Sequence, residues 1–409
     1  MKGLFFVPYF PPEKCSGLNI LTDLLEGFAA KGWDIDVFVP TPTRGVSDQI
    51  RHEYAQKRIE ICFDGKITIH RMHLYREGKG FLSRALRYVI FSIECLWKAL
   101  TVPADFIFST SGPPTQGVVL GVARILSHKK FIYNLQDIFP DSLVTSGICK
   151  ETSFLMKIGR EMENFTYRHA DIIITITEDM RKNVLGKGVN PDKVQVVRNW
   201  MDVNQVKPVP RVQNKLFDEL GLPRDKFYVV YAGNLGKVQG VEVIVAAAEK
   251  LQENSHIHFV IFGNGSEEEN IKHQIADKQL TNMSLFPLQS MDRVPEVYSL
   301  GDVAIISCRA GTGGSAMPSK TWTIMATGTP IVASFDLGGE MENIIRTADC
   351  GVCVQAGDAQ ILSNTLERLY RNLLQVEQWG KNARVYAEKY VSKEKSVDQY
   401  IHYIIGGQK

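Results

Sequence analysis

The chain has 409 residues, 44% of them hydrophobic and 22% charged, with 47 Lys and Arg against 45 Asp and Glu. That length predicts two or three domains and excludes a single small binding module. The apolar content excludes intrinsic disorder, and a net charge of +2 supplies no global field for a nucleic-acid partner.

Taken in chain order, Gly3 to Val7 is an apolar run of strand length broken by Pro8, Pro11 and Pro12, too short for a signal-peptide core or a membrane span. A cytoplasmic protein is the expectation. A helix over Leu18 to Lys31 and a strand over Asp36 to Val39 complete a βαβ unit. Asp34-Ile35-Asp36 has the D-x-D form that holds a divalent ion in some nucleotide enzymes, but it lies at the amino end of its strand, where a solvated turn is the better reading. Phe81 to Lys98 is apolar over most of a helical face and carries Arg84, Arg87 and Lys98, with Lys79 just before it. Lys57, Arg58, Lys66, Arg71 and Arg76 make the upstream region basic too, so partial burial with an edge on an anionic membrane surface is expected; a buried crossover helix is the alternative.

Strands over Asp105 to Ser109, Phe131 to Asn134 and Asp171 to Thr175, with a helix over Gln116 to Leu126, continue the alternation and describe a parallel sheet. Periodicity lapses over residues 201–212, which read as a linker containing Pro208 and Pro210. A second series follows through Tyr228 to Ala232, His258 to Phe262, Val303 to Ser307 and Ile331 to Ser334, ending in an amphipathic helix over Lys381 to Ile405. The fold class is α/β, with two Rossmann-like halves and a ligand at the carboxyl ends of their strands. Seven cysteines include one Cys-x-x-Cys spacing, Cys350 to Cys353, with no second Cys or His pair to complete a zinc site, so a reduced, structural reading leads.

Three loops carry the chemistry. Cys308 to Lys320 is rich in glycine; its backbone N–H groups could point inward, Pro318 suits a first helical position, and Lys320 adds a positive charge, together a diphosphate cradle. A flexible loop with no ligand is the alternative. Gly233 to Gly240 brings Lys237 after a strand, and Gly263-Asn264-Gly265-Ser266 ends in a capping box with Ser266 at the N-cap and Glu269 three residues on. None is G-x-G-x-x-G with a later ribose-binding acid, which disfavours a dinucleotide dehydrogenase. In the first half, Asp137 could act on an acceptor hydroxyl as base or positioning group, or Asp137 or Asp141 could cap a helix. Gly17 could let the backbone approach a ligand or simply turn the chain.

Six segments carry a resemblance over nearly the whole length: Phe10-Pro11-Pro12 leading to Gly17, Ala170 to Thr175, Val197 to Asp202, Tyr231 to Gly236, Phe262 to Gly265 and Met325 to Pro330. The chain resembles the family-4 retaining glycosyltransferases of the GT-B fold, most closely the bacterial branch that builds O-antigen, capsule and colanic-acid-type polysaccharides, with fucosaminyltransferase-like members. The resemblance implies an N-terminal acceptor domain, residues 1–204, and a C-terminal nucleotide-sugar domain, residues 205–409, with sheets facing a central cleft. Whether the last helix, about 390–405, returns to the first domain stays open. It also implies a nucleotide-sugar co-substrate, a UDP-sugar by preference, a lipid-linked saccharide acceptor, no metal ion, and a peripheral place on the inner face of the cell membrane.

By position, Lys237 and Lys320 would neutralise the diphosphate and Asp137 would stand in the cleft. Gly17, Asn234, Gly263, Asn264, Gly265 and Pro287 would line the donor site, and Ser315, Ala316, Met317, Pro318, Ser319 and Thr323 would follow the sugar and ribose. Three departures stand out: Ser315 and Thr323 replace the usual E-x7-E carboxylates, Asn234 replaces an Arg, and Gln239 replaces a Lys. A nucleotide-sugar epimerase of the same form and a non-catalytic nucleotide-sugar-binding protein are the alternatives to a transferase.

Overall fold

The computed structural model describes residues 1–13, 17–75, 81–145, 149–313 and 317–406, without the side chains of 81, 82, 84, 85 and 145. Its contacts divide the chain into an N-terminal unit, Met1–Arg198 with Glu394–Lys409, and a C-terminal unit, Asn199–Lys393.

The N-terminal unit is built on strands β1 (Lys2–Phe6), β2 (Asp34–Pro40), β3 (Ile59–Cys62), β4 (Ile67–Met72), β5 (Phe106–Thr110), β6 (Lys130–Leu135), β7 (Ile172–Thr175) and β8 (Val194–Val196). They lie in the order β3-β4-β2-β1-β5-β6-β7-β8. Every pairing is parallel except β3 with β4. Runs such as Leu4-Phe5-Phe6 and Phe106-Ile107-Phe108 are wholly buried because helices cover both faces. Phe5 and Phe108 stack across neighbouring strands with centroids 4.2 Å apart.

The amphipathic end of the chain is two helices, Leu373–Tyr390 and Lys393–Ile405, where one was expected. Between them Val391 takes φ −131°, outside helical range, its carbonyl accepts the Met201 N–H at 3.0 Å, and Ser392 bridges Met201. The last helix packs on the N-terminal unit: Gly27 leaves room for Val397, Tyr400 donates its hydroxyl to Asn134 Oδ1 at 3.1 Å, and Lys130 Nζ reaches the Ile404 carbonyl at 2.8 Å.

In the C-terminal unit, β9 (Phe227–Asn234), β10 (Ile257–Asn264), β11 (Met283–Phe286), β12 (Val303–Ser307), β13 (Ile331–Phe335) and β14 (Gly351–Gln355) form an all-parallel sheet in the order β11-β10-β9-β12-β13-β14. The strand order reverses between β1 and β5 in one unit and between β9 and β12 in the other. Those switch points are where open α/β sheets receive ligands, and the loops singled out in the sequence leave the strands beside them.

Three expectations change. Asp34 and Asp36 lie inside β2 rather than in a turn, paired with Lys66 at 3.2 Å and with Lys2 and His70 at 3.1 and 2.7 Å. Burial works to raise the Asp36 carboxyl, yet hydrogen bonds from His70 and Lys2 prevail and hold it below the usual carboxylate range. The basic stretch is largely spent within the fold: Lys57 pairs with Glu60 at 3.2 Å, and Arg71 is buried against Glu60 at 2.9 Å. Arg87, expected to face lipid, is 3% exposed and donates to the carbonyls of Thr41 and Tyr75. Arg76 and Lys79 lie outside the described residues, as does the side chain of Arg84. Cys350 and Cys353 are free thiols at β14, pushed up to about 12 by burial, and no metal-holding cluster of His, Cys, Asp or Glu occurs among the described residues.

Candidate active site

The best-defined rim is at the carboxyl ends of β9 and β10, which run in register to Gly263 opposite Gly233 and Asn264 opposite Asn234. A Cβ on Gly263 would stand 2.6 Å from the Gly233 carbonyl oxygen, and one on Gly265 2.5 Å from that of Leu235. These glycines let two backbones touch. Gly263, expected to line a nucleoside, is buried in this packing, whereas Asn264 and Gly265 are exposed. The Leu235 N–H donates to the Asn264 carbonyl and the Glu267 N–H to the Leu235 carbonyl, both at 2.8 Å. The following helix, Glu268–Asp277, therefore starts after an N-cap at Glu267 and not at Ser266, because its entry is tied to the neighbouring loop.

Lys320 is the first residue of the Lys320–Ala326 helix, and its Nζ lies 4.0 Å from the centroid of the Tyr231 ring. A Cβ on Gly233 would sit 2.8 Å from that nitrogen, so the absent side chain makes its seat. Tyr231 is itself fixed by donating its hydroxyl to the Asn234 carbonyl at 2.8 Å. Although the residue as a whole is half-buried, its ammonium end is desolvated with no carboxylate paired to it among the described residues, and burial pushes it down to about 7. A cation held this way gains most from an anion that arrives as a ligand.

The glycine loop before Lys320 departs from the expected cradle. The Gly311 and Gly313 N–H groups already donate to the Asp336 carboxylate at 2.9 and 2.8 Å, so those two amides face an internal anion. Pro318 precedes the helix rather than opening it; Ser319 is the N-cap, and the Pro318 carbonyl accepts from Thr321 N–H and Oγ1 at 3.0 and 2.7 Å. Met317 packs against the core and Thr323 is buried on the helix. Ser315 and Ala316 lie outside the described residues. Lys237 is exposed on the one-turn helix Lys237–Gln239, and Pro287 is exposed beyond β11. Asn234 Nδ2 donates to Gln239 Oε1 at 3.3 Å, so the two positions where the resembling family carries Arg and Lys here hold each other across the loop.

In the N-terminal unit Gly17 caps the Leu18–Ala30 helix at φ 81°, with open space where a side chain would stand. Asp137 is exposed and caps no helix. Its N–H and that of Gln136 both donate to Ser111 Oγ at 3.2 Å, which fixes the loop that carries it. Asp141 opens a helix, its carboxylate taken by Arg160 at 2.6 Å and Lys187 at 3.0 Å. Glu13, which sequence reasoning missed, is 6% exposed and accepts from the N–H groups of Thr43, Arg44 and Phe10 at 2.8, 3.1 and 3.2 Å. The one local signal was an acid directly after Pro11-Pro12.

Two family models match in tandem: "Glycosyl transferase 4-like domain" over residues 19–200 and "Glycosyl transferases group 1" over residues 212–386. The chain belongs to the group 1, family-4-like glycosyltransferases. It is 26% identical to WcaI of Escherichia coli K12, named as a colanic acid biosynthesis glycosyl transferase, over 99% of this chain and 100% of that protein. It is also 26% identical to WbjE of Pseudomonas aeruginosa, named as a glycosyltransferase, over 70% and 72% of the two chains. HepE from Anabaena, solved with UDP, superposes with a TM-score of 0.74 at 16% identity, covering 99% of this chain and 100% of that one. This glycosyltransferase has the GT-B fold, and the rims just described belong to its two units.

Proposed function

We propose that this glycosyltransferase moves a sugar from a UDP-sugar held by its C-terminal unit to a lipid-linked saccharide held by its N-terminal unit, with retention at the anomeric carbon, in surface polysaccharide biosynthesis of the O-antigen or capsule kind. Lys320 carries the reading: a desolvated cation without a counter-charge is suited to a diphosphate leaving group. The bond from the anomeric carbon to the diphosphate oxygen breaks with its electrons on the diphosphate, and the acceptor hydroxyl oxygen bonds that carbon. Lys320 and the exposed Lys237 neutralise the departing charge without a metal ion, and Asp137 orients the acceptor hydroxyl or takes its proton. UDP as the donor's nucleotide is supported by HepE, solved with UDP and with UDP-glucose, and the pathway by the name of WcaI.

The test incubates the protein with UDP-sugars, with and without lipid-linked saccharides, and follows the anomeric signals by NMR. A product with the donor's anomeric configuration, formed only with acceptor, supports the reading. An epimer formed from donor alone, or UDP binding without turnover on any acceptor, overturns it.

A cytoplasmic place on the inner membrane face belongs to the same proposal, on different grounds from basic charge. The Phe81–Thr101 helix exposes Leu86, Val89, Ile93 and Trp97 at helical spacing, 47 to 65% accessible, while Phe91, Cys95 and Ala99 face the core. Among the described residues no helix is long and apolar enough to cross a membrane, so this stripe would lie in the interface. Ile93→Glu with Trp97→Glu is expected to abolish flotation with anionic liposomes; unchanged flotation would remove the membrane from the account.

A further inference from the structure

A cavity of about 510 Å³ in the N-terminal unit is lined by Thr41, Asp48, Arg51, His52, Ala55 and His73. Its position follows from the topology: Thr41 is the residue after β2, His73 the residue after β4, and Asp48, Arg51, His52 and Ala55 belong to the Asp48–Gln56 helix that follows β2. The floor is rigid. The Thr41 N–H and hydroxyl both donate to the Met72 carbonyl, at 2.9 and 3.2 Å, and the Thr41 carbonyl accepts from Arg87 at 3.0 Å. The helix is set by Ser47, whose hydroxyl accepts the Ile50 N–H at 3.3 Å.

Arg51 is the unusual member. Its Nε is buried with no hydrogen-bond partner, and no carboxylate is paired with its guanidinium among the described residues. Arg71 and Arg87, the buried arginines nearby, are better supplied: Arg71 donates to Glu60 at 2.9 Å and to the Pro11 carbonyl, which leaves its Nη1 alone without a partner, and Arg87 donates to two carbonyls. A desolvated guanidinium N–H left without an acceptor is costly, and planar two-oxygen groups such as phosphate satisfy it best. Two imidazoles line the same cavity, with the His52 ring also in contact with Gln56 at 3.3 Å. Two acids stand near the charge: Asp48, one turn before Arg51, and Glu94, whose carboxyl burial pushes up against the opposing pull of Lys98 and His73. A cavity whose lining holds an arginine, two imidazoles and a carboxylate suits a phosphoryl group attached to a hydroxyl-bearing ligand better than a bare polyanion.

We propose that this cavity is a phosphoryl-binding site of the N-terminal unit, with Arg51 as the principal ligand and His52 and His73 as supporting donors. The donor assignment does not enter this argument. Only the identity of the natural ligand as a diphosphate on a lipid-linked acceptor rests on the function proposed above.

The test follows the imidazole resonances of His52 and His73 by NMR, assigned with His52→Gln and His73→Gln, as inorganic pyrophosphate is added to the full chain carrying Lys320→Ala. Both resonances are expected to shift saturably, and Arg51→Gln is expected to weaken the apparent Kd by about tenfold or more, with an unchanged melting temperature showing that the fold persists. Repeating the titration with decyl diphosphate separates the sources: tighter binding than pyrophosphate points to a lipid-borne diphosphate, equal binding to a free phosphate. Immobile His52 and His73 resonances, or equal shifts in folded Arg51→Gln, would overturn the proposal. Should Arg51→Gln fail to fold, Arg51→Lys serves instead: it keeps the charge but loses the fork, and pyrophosphate binding as tight as in the parent would equally overturn it.

Discussion

The rims of the two sheets are built in opposite ways. In the N-terminal unit an acid is turned inward to satisfy backbone donors: Glu13 gathers three N–H groups and clamps the loop after β1 to the loop after β2. In the C-terminal unit the loops after β9 and β10 are held by backbone against backbone, through Gly263 and Gly265, and the strongest local charge is a cation with no carboxylate beside it. Loops satisfied internally, as around Glu13, present geometry; a charge left uncompensated, as at Lys320, presents an electrostatic demand. The difference explains why the C-terminal rim is suited to a leaving diphosphate, while the N-terminal rim offers an exposed Asp137 on a fixed loop.

That contrast can be broken most sharply at Lys320. Replacing it with Ala is expected to lower turnover by about 10² to 10³-fold, the range for removing one preorganised charge stabiliser. The melting temperature should hold or rise, since the substitution relieves a desolvated charge. Glu13→Gln leaves the shape but removes the charge that three amides converge on, and urea denaturation should show a loss of about 1 to 3 kcal/mol. Gly263→Ala forces a methyl against the Gly233 carbonyl and should cost about 1 to 3 kcal/mol by the same measurement, with weaker UDP binding because Gly233 seats Lys320. Gly17→Ala meets open space and pays only for its positive φ, a smaller loss of about 1 kcal/mol.

Much of this was legible in the sequence for a simple reason. Strands buried on both faces, such as Val303-Ala304-Ile305-Ile306-Ser307, read directly as parallel-sheet strands, and their carboxyl ends located the glycine loops and Lys320. What stayed hidden depended on partners distant in the chain. The Gly311 and Gly313 amides looked free for a ligand until Asp336, beyond the next strand, was seen to take them. Arg87 has the composition of a lipid-facing residue, but its direction is set by carbonyls at Thr41 and Tyr75. β3 exposes Ile59 and Ile61 while Glu60 and Cys62 are half-buried, the reverse of the usual pattern, so no apolar periodicity announced it. The Asn234–Gln239 contact likewise turns two missing cations into one neutral pair, which no single position reveals.

Lys320 also sets a pH dependence with a definite sign. Its folded value, about 7, lies below the ordinary 10.5, so between those values the unfolded chain binds more protons and stability rises with pH. A bound diphosphate favours the charged lysine and should therefore bring a proton with it. The most direct measurement is calorimetry of UDP binding near about pH 8 in two buffers of different ionisation enthalpy. The account predicts uptake of close to one proton per UDP, abolished in Lys320→Met. Binding without proton uptake, or the same uptake in Lys320→Met, would contradict it.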